Sequence, residues 1–265
     1  MRARARRDDD EMLFAIDVGN THSLLGVFEG SDLRVHWRLT TDRARTVDEF
    51  GILARTLFNL EGIDACEVSS MVVSCVVPPL EGVLERLGRE YFNVEPLMVS
   101  ASVVHDLPIR YHTPENVGPD RIVNAVAARE KYGLPVIVVD FGTATTFDVI
   151  DAEGAYLGGT IAPGIGISAD ALYRRAARLP RVDIAEPQHV IGRSTTESMQ
   201  AGIYYGYVDL VDGLILRITE EMGSPTEVVA TGGWAKQIAA RCKHIKIVDS
   251  LLTLDGLKII ATRYG

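Results

Sequence analysis

The chain has 265 residues, 47% of them hydrophobic, with 36 acidic against 27 basic side chains and a formal net charge of −9. That length and apolar content allow one large or two modest domains with their own cores, without disulfide or metal staples. The acidic balance argues against a nucleic-acid surface, and no apolar run approaches the ~20 residues that span a bilayer, so neither nucleic acid nor membrane is an expected partner.

The three cysteines, Cys66, Cys75 and Cys242, are odd in number, widely spaced and set in no metal-ligand pattern. They read as structural thiols of a reduced, cytoplasmic protein. Residues 1–12 mix Arg2, Arg4, Arg6 and Arg7 with Asp8, Asp9, Asp10 and Glu11 and contain almost nothing apolar. They are expected to be a disordered extension, lacking the apolar middle of a signal peptide, or residues upstream of a true start at Met12.

Residues 12–16 form an aliphatic run that reads as a buried strand, leading through Asp17-Val18-Gly19 into Asn20-Thr21. A second apolar run, 24–28, returns as its hairpin partner. The pattern recurs at 136–139, Asp140-Phe141-Gly142-Thr143-Ala144 and 146–150. A single Asp-x-Gly at a strand end ordinarily makes only a turn. Two aligned copies point to a duplicated phosphate-handling unit, in which glycine lets backbone amides approach a phosphate closely.

Between the copies, Thr46-x-x-Glu49 is a capping box, and Phe50, Leu53, Leu57 and Leu60 follow at helical spacing. Residues 72–77 read as a buried strand stopped by Pro78-Pro79, and 80–87 as the next helix. Gly118-Pro119-Asp120-Arg121 opens an amphipathic helix that continues to about Tyr132. After the second hairpin, 158–164 reads as a Gly-rich loop and 168–179 as a helix. Ser194-x-x-Glu197 is another capping box, opening a long helix with Met199, Ile203, Tyr207, Leu210, Leu214 and Ile218 on one face. On another face Gly202, Gly206 and Gly213 leave room for a second backbone, within the subunit or across a dimer. Residues 227–231 form a strand running into Gly232-Gly233, followed by a helix through Ile238. That turn suits a nucleotide base and ribose, and it also occurs wherever an α/β unit turns tightly.

Phosphoryl transfer requires phosphates held in line, their charge neutralised and the acceptor hydroxyl oriented. Asp17, beside Gly19, Asn20 and Thr21, is a candidate to hold a hydrated magnesium ion bridging ATP oxygens. Gly142, Thr143 and Thr145 are candidates to meet the phosphates with N–H groups and hydroxyls, the nucleotide lying between the two halves. Asp120 has two compatible readings, a helix N-cap and a general base, with the helix N-terminus expected to keep its carboxylate ionised. Arg121 is either a solvated surface residue or a binder of a carboxylate. His22, His105 and His112 show no metal spacing and read as structural.

Taken together, Asp17-Val18-Gly19-Asn20-Thr21, Gly118-Pro119-Asp120-Arg121, Val139-Asp140-Phe141-Gly142-Thr143-Ala144-Thr145, Gly159 through Gly164, Gly192-Arg193-Ser194-Thr195 and Thr231-Gly232-Gly233 resemble type III pantothenate kinases in order and spacing, over nearly the whole chain from Met12. The resemblance implies an α/β chain with the duplicated actin-like (ribonuclease H-like) ATPase fold of the actin and sugar-kinase superfamily. Two mixed-sheet subdomains, here 13–118 and 119–265, would have the nucleotide cleft between them. It further implies ATP-dependent phosphorylation of pantothenate to 4'-phosphopantothenate, the first step of coenzyme A biosynthesis, by a homodimer using Mg2+ and K+ or NH4+.

Carried over by position, Asp17, Val18, Gly19, Asn20, Thr21, His22, Ser23 and Leu24 would form the first phosphate loop, with Asp17 near the magnesium of the bound nucleotide. Thr143 would touch ATP and Asp140 would hold the monovalent cation. Asp120 would accept the proton, with Gly118, Pro119, Arg121 and Tyr111 around pantothenate and Thr195 reaching it from across the dimer. The departures are the N-terminal extension, Pro119 where Ala is commoner, and Ser194 where Asn is frequent; the latter two adjoin the substrate site. Rival readings are a kinase or phosphatase of the same superfamily acting on another small hydroxylated acid or sugar, and a non-catalytic nucleotide-binding accessory protein. The presence of Asp17, Gly19 and Asp120 and the surroundings of Asp120 and Thr195 favour the pantothenate reading.

Overall fold

The computed structural model describes residues 11–265; residues 1–10, where most of the expected extension falls, lie outside it. Met12, counted both with that extension and with the aliphatic run 12–16, is the first residue of a strand and only 3% exposed.

The first sheet comprises β1 (Met12–Val18), β2 (His22–Glu29), β3 (Asp32–Thr40), β4 (Val68–Cys75) and β5 (Pro96–Met98), in the order β3-β2-β1-β4-β5. β1, β2 and β3 pair antiparallel as a meander, and β4 and β5 add in parallel beyond β1. The second sheet has β6 (Val136–Phe141), β7 (Ala144–Ile150), β8 (Tyr156–Pro163), β9 (Glu227–Gly232) and β10 (Ile247–Val248), in the equivalent order β10-β9-β6-β7-β8 with the same strand directions. The duplication first seen in two hairpins therefore extends to five strands in each sheet. This α/β duplication is the actin-like ATPase architecture implied by the motifs.

In the first sheet the pleat sorts residues by face. Phe14, Ile16 and Val18 of β1 and Met71, Val73 and Cys75 of β4 join one apolar cluster with Phe50, Ala54 and Phe58 of α1 (Val47–Leu60) and Leu80, Leu84 and Leu87 of α2 (Pro78–Leu87). Phe14 meets Phe58 edge-on with ring centroids 5.0 Å apart. The intervening residues, Ala15 and Asp17 of β1 and Val72 and Ser74 of β4, face the opposite side. On that side α7 (Leu252–Tyr264) packs on β2, where a Cβ on Gly26 would lie 3.0 Å from Leu254. Gly256 of α7 lies against α3 (Pro119–Tyr132), its would-be Cβ 2.3 Å from the Val123 carbonyl. α1 starts as its sequence indicates: Thr46 accepts from the Glu49 N–H at 3.3 Å and the Glu49 carboxylate takes the Thr46 N–H at 2.9 Å.

In the second sheet, Val139 and Phe141 of β6 and Phe147 of β7 pack with Ile165 of α4 (Ile165–Arg175), Met199, Ile203, Tyr207, Val211 and Ile215 of α5 (Thr195–Met222), and Ile238 of α6 (Ala235–Ala239). The buried face of α5 departs from the expected one after Tyr207: Val208, Val211 and Ile215 enter the core, whereas Leu210 is 37% exposed. The expected Gly-rich loop at 158–164 is instead most of β8, because β7 supplies a full antiparallel partner from Ala144 to Ile150. Among the described residues, nothing beyond the helix's own neighbouring backbone lies within 4 Å of a Cβ built on Gly202, Gly206 or Gly213, so no other described element packs closely on the glycine face of α5.

The chain groups into two compact units whose limits differ from a single boundary at 118/119. One comprises the residues up to Leu107 with His112–Ala127 and Thr253–Gly265; the other comprises Pro108–Tyr111 and Ala128–Leu252. No helix among the described residues is long and apolar enough to cross a membrane.

Candidate active site

In the first unit, Asp17 is the penultimate residue of β1, opposite Leu24 on β2 and Ser74 on β4. The chain then turns tightly, the Gly19 N–H donating to the His22 carbonyl at 3.0 Å, which leaves Asn20 and Thr21 exposed at the tip. The turn is braced from beyond β3. Thr41 donates its hydroxyl to the Gly19 carbonyl at 2.8 Å and its N–H to the Thr21 carbonyl at 2.9 Å, and Arg43 reaches Asn20 Oδ1 at 2.9 Å. Ser23, buried, shares a 2.9 Å hydrogen bond with the Thr41 hydroxyl, and Val18 is wholly buried. Of the residues 17–24, Val18 and Ser23 thus serve the turn as scaffold, while Asn20, Thr21 and His22 are exposed. Thr41 and Arg43 carry no motif, and only this structure reveals them.

Asp120 is the second residue of α3, and the Gly118 carbonyl closes the first turn by accepting the N–H groups of Arg121 and Ile122, each at 3.1 Å. The Asp120 carboxylate accepts the Arg121 N–H at 2.9 Å, and a Cβ on Gly118 would come within 2.5 Å of Asp120 Oδ1. Glycine at 118 therefore makes room for this carboxylate. Its pKa is raised: burial disfavours the charged form by more than the Arg121 N–H and guanidinium favour it. The helix N-terminus alone suggested the opposite direction. Arg121 is only 7% exposed, which removes the reading of it as a solvated surface residue. One turn on, Asn124 is buried and accepts the Thr253 hydroxyl of α7 at 2.8 Å. A lone amide in an Ile-Val-Ala helix face was the signal available for it.

In the second unit, Asp140 is the penultimate residue of β6, opposite Thr146 on β7 and Thr231 on β9. Because Asp17 faces Leu24 and Asp140 faces Thr146, the second loop is shorter by one residue. The Gly142 N–H donates to the Ala144 carbonyl at 3.1 Å and the Gly164 N–H to the Thr143 carbonyl at 3.2 Å, leaving Thr143 exposed. Two glycines cradle Asp140: a Cβ would stand 2.4 Å from its Oδ1 at Gly232, where φ is +95°, and 3.8 Å at Gly142. Thr145 does not serve as a phosphate donor as expected; it is 1% exposed and hydrogen-bonded to the Tyr207 hydroxyl, which also donates to the Pro163 carbonyl at 3.2 Å.

Tyr111 is exposed at the end of a segment tied to β8 by two 2.8 Å bonds, Tyr156 N–H to Pro108 and Arg110 N–H to Tyr156. Its ring lies 3.3 Å from where a Cβ on Gly158 would be, at φ +120°. Thr195 is exposed as the first residue of α5. Ser194 caps that helix by accepting the Glu197 N–H at 3.2 Å, while Glu197 takes the Arg193 N–H at 2.7 Å, one residue outside the expected capping box. A Cβ on Gly192 would come within 2.3 Å of the Ser198 nitrogen, so this glycine lets the preceding chain press against the first turn.

Among the described residues no group of three or more His, Cys, Asp or Glu side chains is arranged to hold a metal ion. A cation at Asp17 or Asp140 would accordingly need nucleotide oxygens, carbonyls or water as its remaining ligands, which suits magnesium and potassium chemistry. Gly142 and Gly232, lacking side chains, leave room for the Asp140 carboxylate itself.

The family model for type III pantothenate kinase matches residues 13–217. A type III pantothenate kinase of Myxococcus xanthus is 55% identical over 252 residues, covering 95% of this chain and 98% of that protein. One from Koribacter versatilis is 53% identical over 262 residues, covering 95% and 96%. Among solved structures, the activator of 2-hydroxyisocaproyl-CoA dehydratase from Clostridium difficile, with bound ADPNP, is similar in fold at a TM-score of 0.54 and 13% identity, covering 96% of this chain and 94% of that one. An ethanolamine utilization protein from Carboxydothermus hydrogenoformans aligns at a TM-score of 0.55 and 14% identity, covering 95% and 89%.

Proposed function

The chain belongs to the type III pantothenate kinase family, whose reaction is ATP-dependent phosphorylation of pantothenate in coenzyme A biosynthesis, and on that premise we propose how its residues divide the work. Asp120 orients the primary hydroxyl of pantothenate and receives its proton as the phosphoryl group transfers. The observation that carries this role is the placement of its carboxylate: on the first turn of α3, in the space left by Gly118, with a pKa moved up toward the working range of a general base.

Around it, Gly118 and Pro119 shape the acceptor pocket, Arg121 binds the pantothenate carboxylate, and Tyr111 lines the substrate. The loop from Asp17 to Leu24 presents backbone N–H groups to ATP phosphates, and Thr143 touches the nucleotide. Asp17 would hold the magnesium ion that accompanies ATP, which when bound would supply neutralisation of phosphate charge. Asp140, in its glycine cradle, holds potassium or ammonium.

The active form in this reading is a homodimer in which Thr195 of the partner copy contacts pantothenate. Its support is the open glycine face of α5, beside a groove of about 380 Å³ between α4 and α5 lined by Leu172, Met199, Gly202, Gly206 and Leu210. The free thiols of Cys66, Cys75 and Cys242 accord with a cytoplasmic location.

The test is ADP release from ATP and magnesium with pantothenate present or omitted, in potassium or in sodium. Turnover that needs both pantothenate and potassium is the expected result. Equal turnover in sodium would remove the role given to Asp140, and turnover without pantothenate would remove the acceptor site.

A further inference from the structure

Ser74 is wholly buried, and its hydroxyl has no hydrogen-bond partner among the described residues. A buried hydroxyl left in that state is unfavourable, so its persistence calls for a use. Its place in the sheet supplies one. Met71, Val73 and Cys75 of β4 and Phe14, Ile16 and Val18 of β1 all point into the cluster under α1 and α2. Ser74 and Asp17 therefore share the opposite face, and the parallel register sets them side by side. The other residues on that stretch of the face are Ala15 and Val72, which offer no polar side chain.

The second copy repeats the arrangement. Asp140 stands beside Thr231 in the equivalent parallel pair, and Thr231 is 2% exposed. Each loop carboxylate thus has a buried hydroxyl-bearing residue on the neighbouring strand.

We propose that Ser74 is a positioning residue for Asp17: its hydroxyl is the donor that holds the carboxylate in the orientation that engages a magnesium–nucleotide complex, and it acquires this partner when that complex binds. The proposal rests on the assignment of Asp17 to the metal–nucleotide side of the site. Ser74 itself touches neither nucleotide nor metal. Removing its hydroxyl should relieve the empty protein of an unsatisfied group while weakening the liganded one, a pair of opposite signs that a packing role does not produce.

The experiment is calorimetric binding of a non-hydrolysable ATP analogue to the full chain, with magnesium and with EDTA, alongside thermal unfolding without ligand. Ser74→Ala is expected to bind the magnesium complex about tenfold more weakly, the loss typical of a hydrogen bond to a charged group. In EDTA it should bind as wild type does, and without ligand it should unfold at the same or a higher temperature. In an Asp17→Asn background the same substitution should add no further loss, since its effect passes through that carboxylate. Equal magnesium-dependent affinity of Ser74→Ala and wild type overturns the proposal, as do additive losses in the double variant or earlier unfolding of unliganded Ser74→Ala. Wild-type binding that is indifferent to magnesium overturns the assignment of Asp17 instead.

Discussion

The carboxylate of Asp140 occupies the space that a side chain on Gly232 would need: a Cβ there would lie 2.4 Å from Asp140 Oδ1 and 2.7 Å from the backbone of Phe141. At φ +95° the position also disfavours any L side chain. Gly232→Ala is therefore expected to cost about 2 kcal/mol of stability, and to displace Asp140. Denaturant unfolding checks the first effect; the second should appear as a raised potassium requirement in the surviving folded enzyme.

Burial raises the pKa of Asp120, so the folded chain holds this proton more tightly than the unfolded chain. The sign follows from linkage: with more protons bound in the native state, stability declines as pH rises from the unfolded carboxylate pKa through the raised folded one. Asp120→Asn should abolish that declining segment. In catalysis the base must be ionised, so kcat/KM should fall on the acid side at a pH above the ordinary carboxylate range. A pH–rate profile beside pH-dependent unfolding checks both.

Thr41 joins the end of β3 to the turn between β1 and β2 through Gly19, Thr21 and Ser23. Thr41→Val keeps the shape and removes the hydroxyl bonds to Gly19 and Ser23. The expected loss is about 1–2 kcal/mol of stability, with a raised KM for ATP and little change in KM for pantothenate. Steady-state kinetics in both substrates separate this loop effect from general destabilisation.

Ser194 and Thr195 are adjacent and should behave differently. Ser194 caps α5, so Ser194→Ala should cost about 1 kcal/mol of stability. Thr195 is exposed and bears on no cap hydrogen bond, so Thr195→Ala should leave unfolding unchanged and raise KM for pantothenate.

The legible parts of this fold were those where neighbouring residues decide the conformation. Both Asp-x-Gly hairpins and the helix opened by Thr46 and Glu49 announce themselves through alternation, turn chemistry and capping within a few positions. β3 was missed although Leu33, Val35, Trp37 and Leu39 alternate with Arg34, His36 and Arg38 as on a half-buried strand; none of its side chains is fully buried, and its pairing with β2 fixes it in the sheet. β8 resembled a loop for a similar reason: Gly158 and Gly159 sit at φ +120° and +156°, and β7 holds them in the sheet. α7 lies far in sequence from the β2 and α3 surfaces it covers, and its Thr253 reaches Asn124 only once the chain has returned.

At the site, Asp17, Asp120 and Asp140 were visible because each adjoins glycines in a recognisable run. Thr41, Arg43, Asn124 and Ser74 were not, because their roles arise from cross-strand register and helix packing rather than from local pattern. Thr145 misled for the same reason: its hydroxyl points to Tyr207 on a helix that begins fifty residues later in the chain.

The central claim is that Asp120 receives the proton of the pantothenate hydroxyl, and Asp120→Asn tests it most directly. The variant keeps the side-chain shape and the acceptor for the Arg121 N–H and cannot carry the buried charge, so it should unfold at the same or a higher temperature than wild type, with affinities for ATP and pantothenate near wild type. Pantothenate-dependent ADP release should fall by about a hundredfold or more, the lower range for loss of a positioned base. Turnover within about threefold of wild type, with both substrates bound normally, would contradict the account, because such a change is too small for the loss of a positioned base.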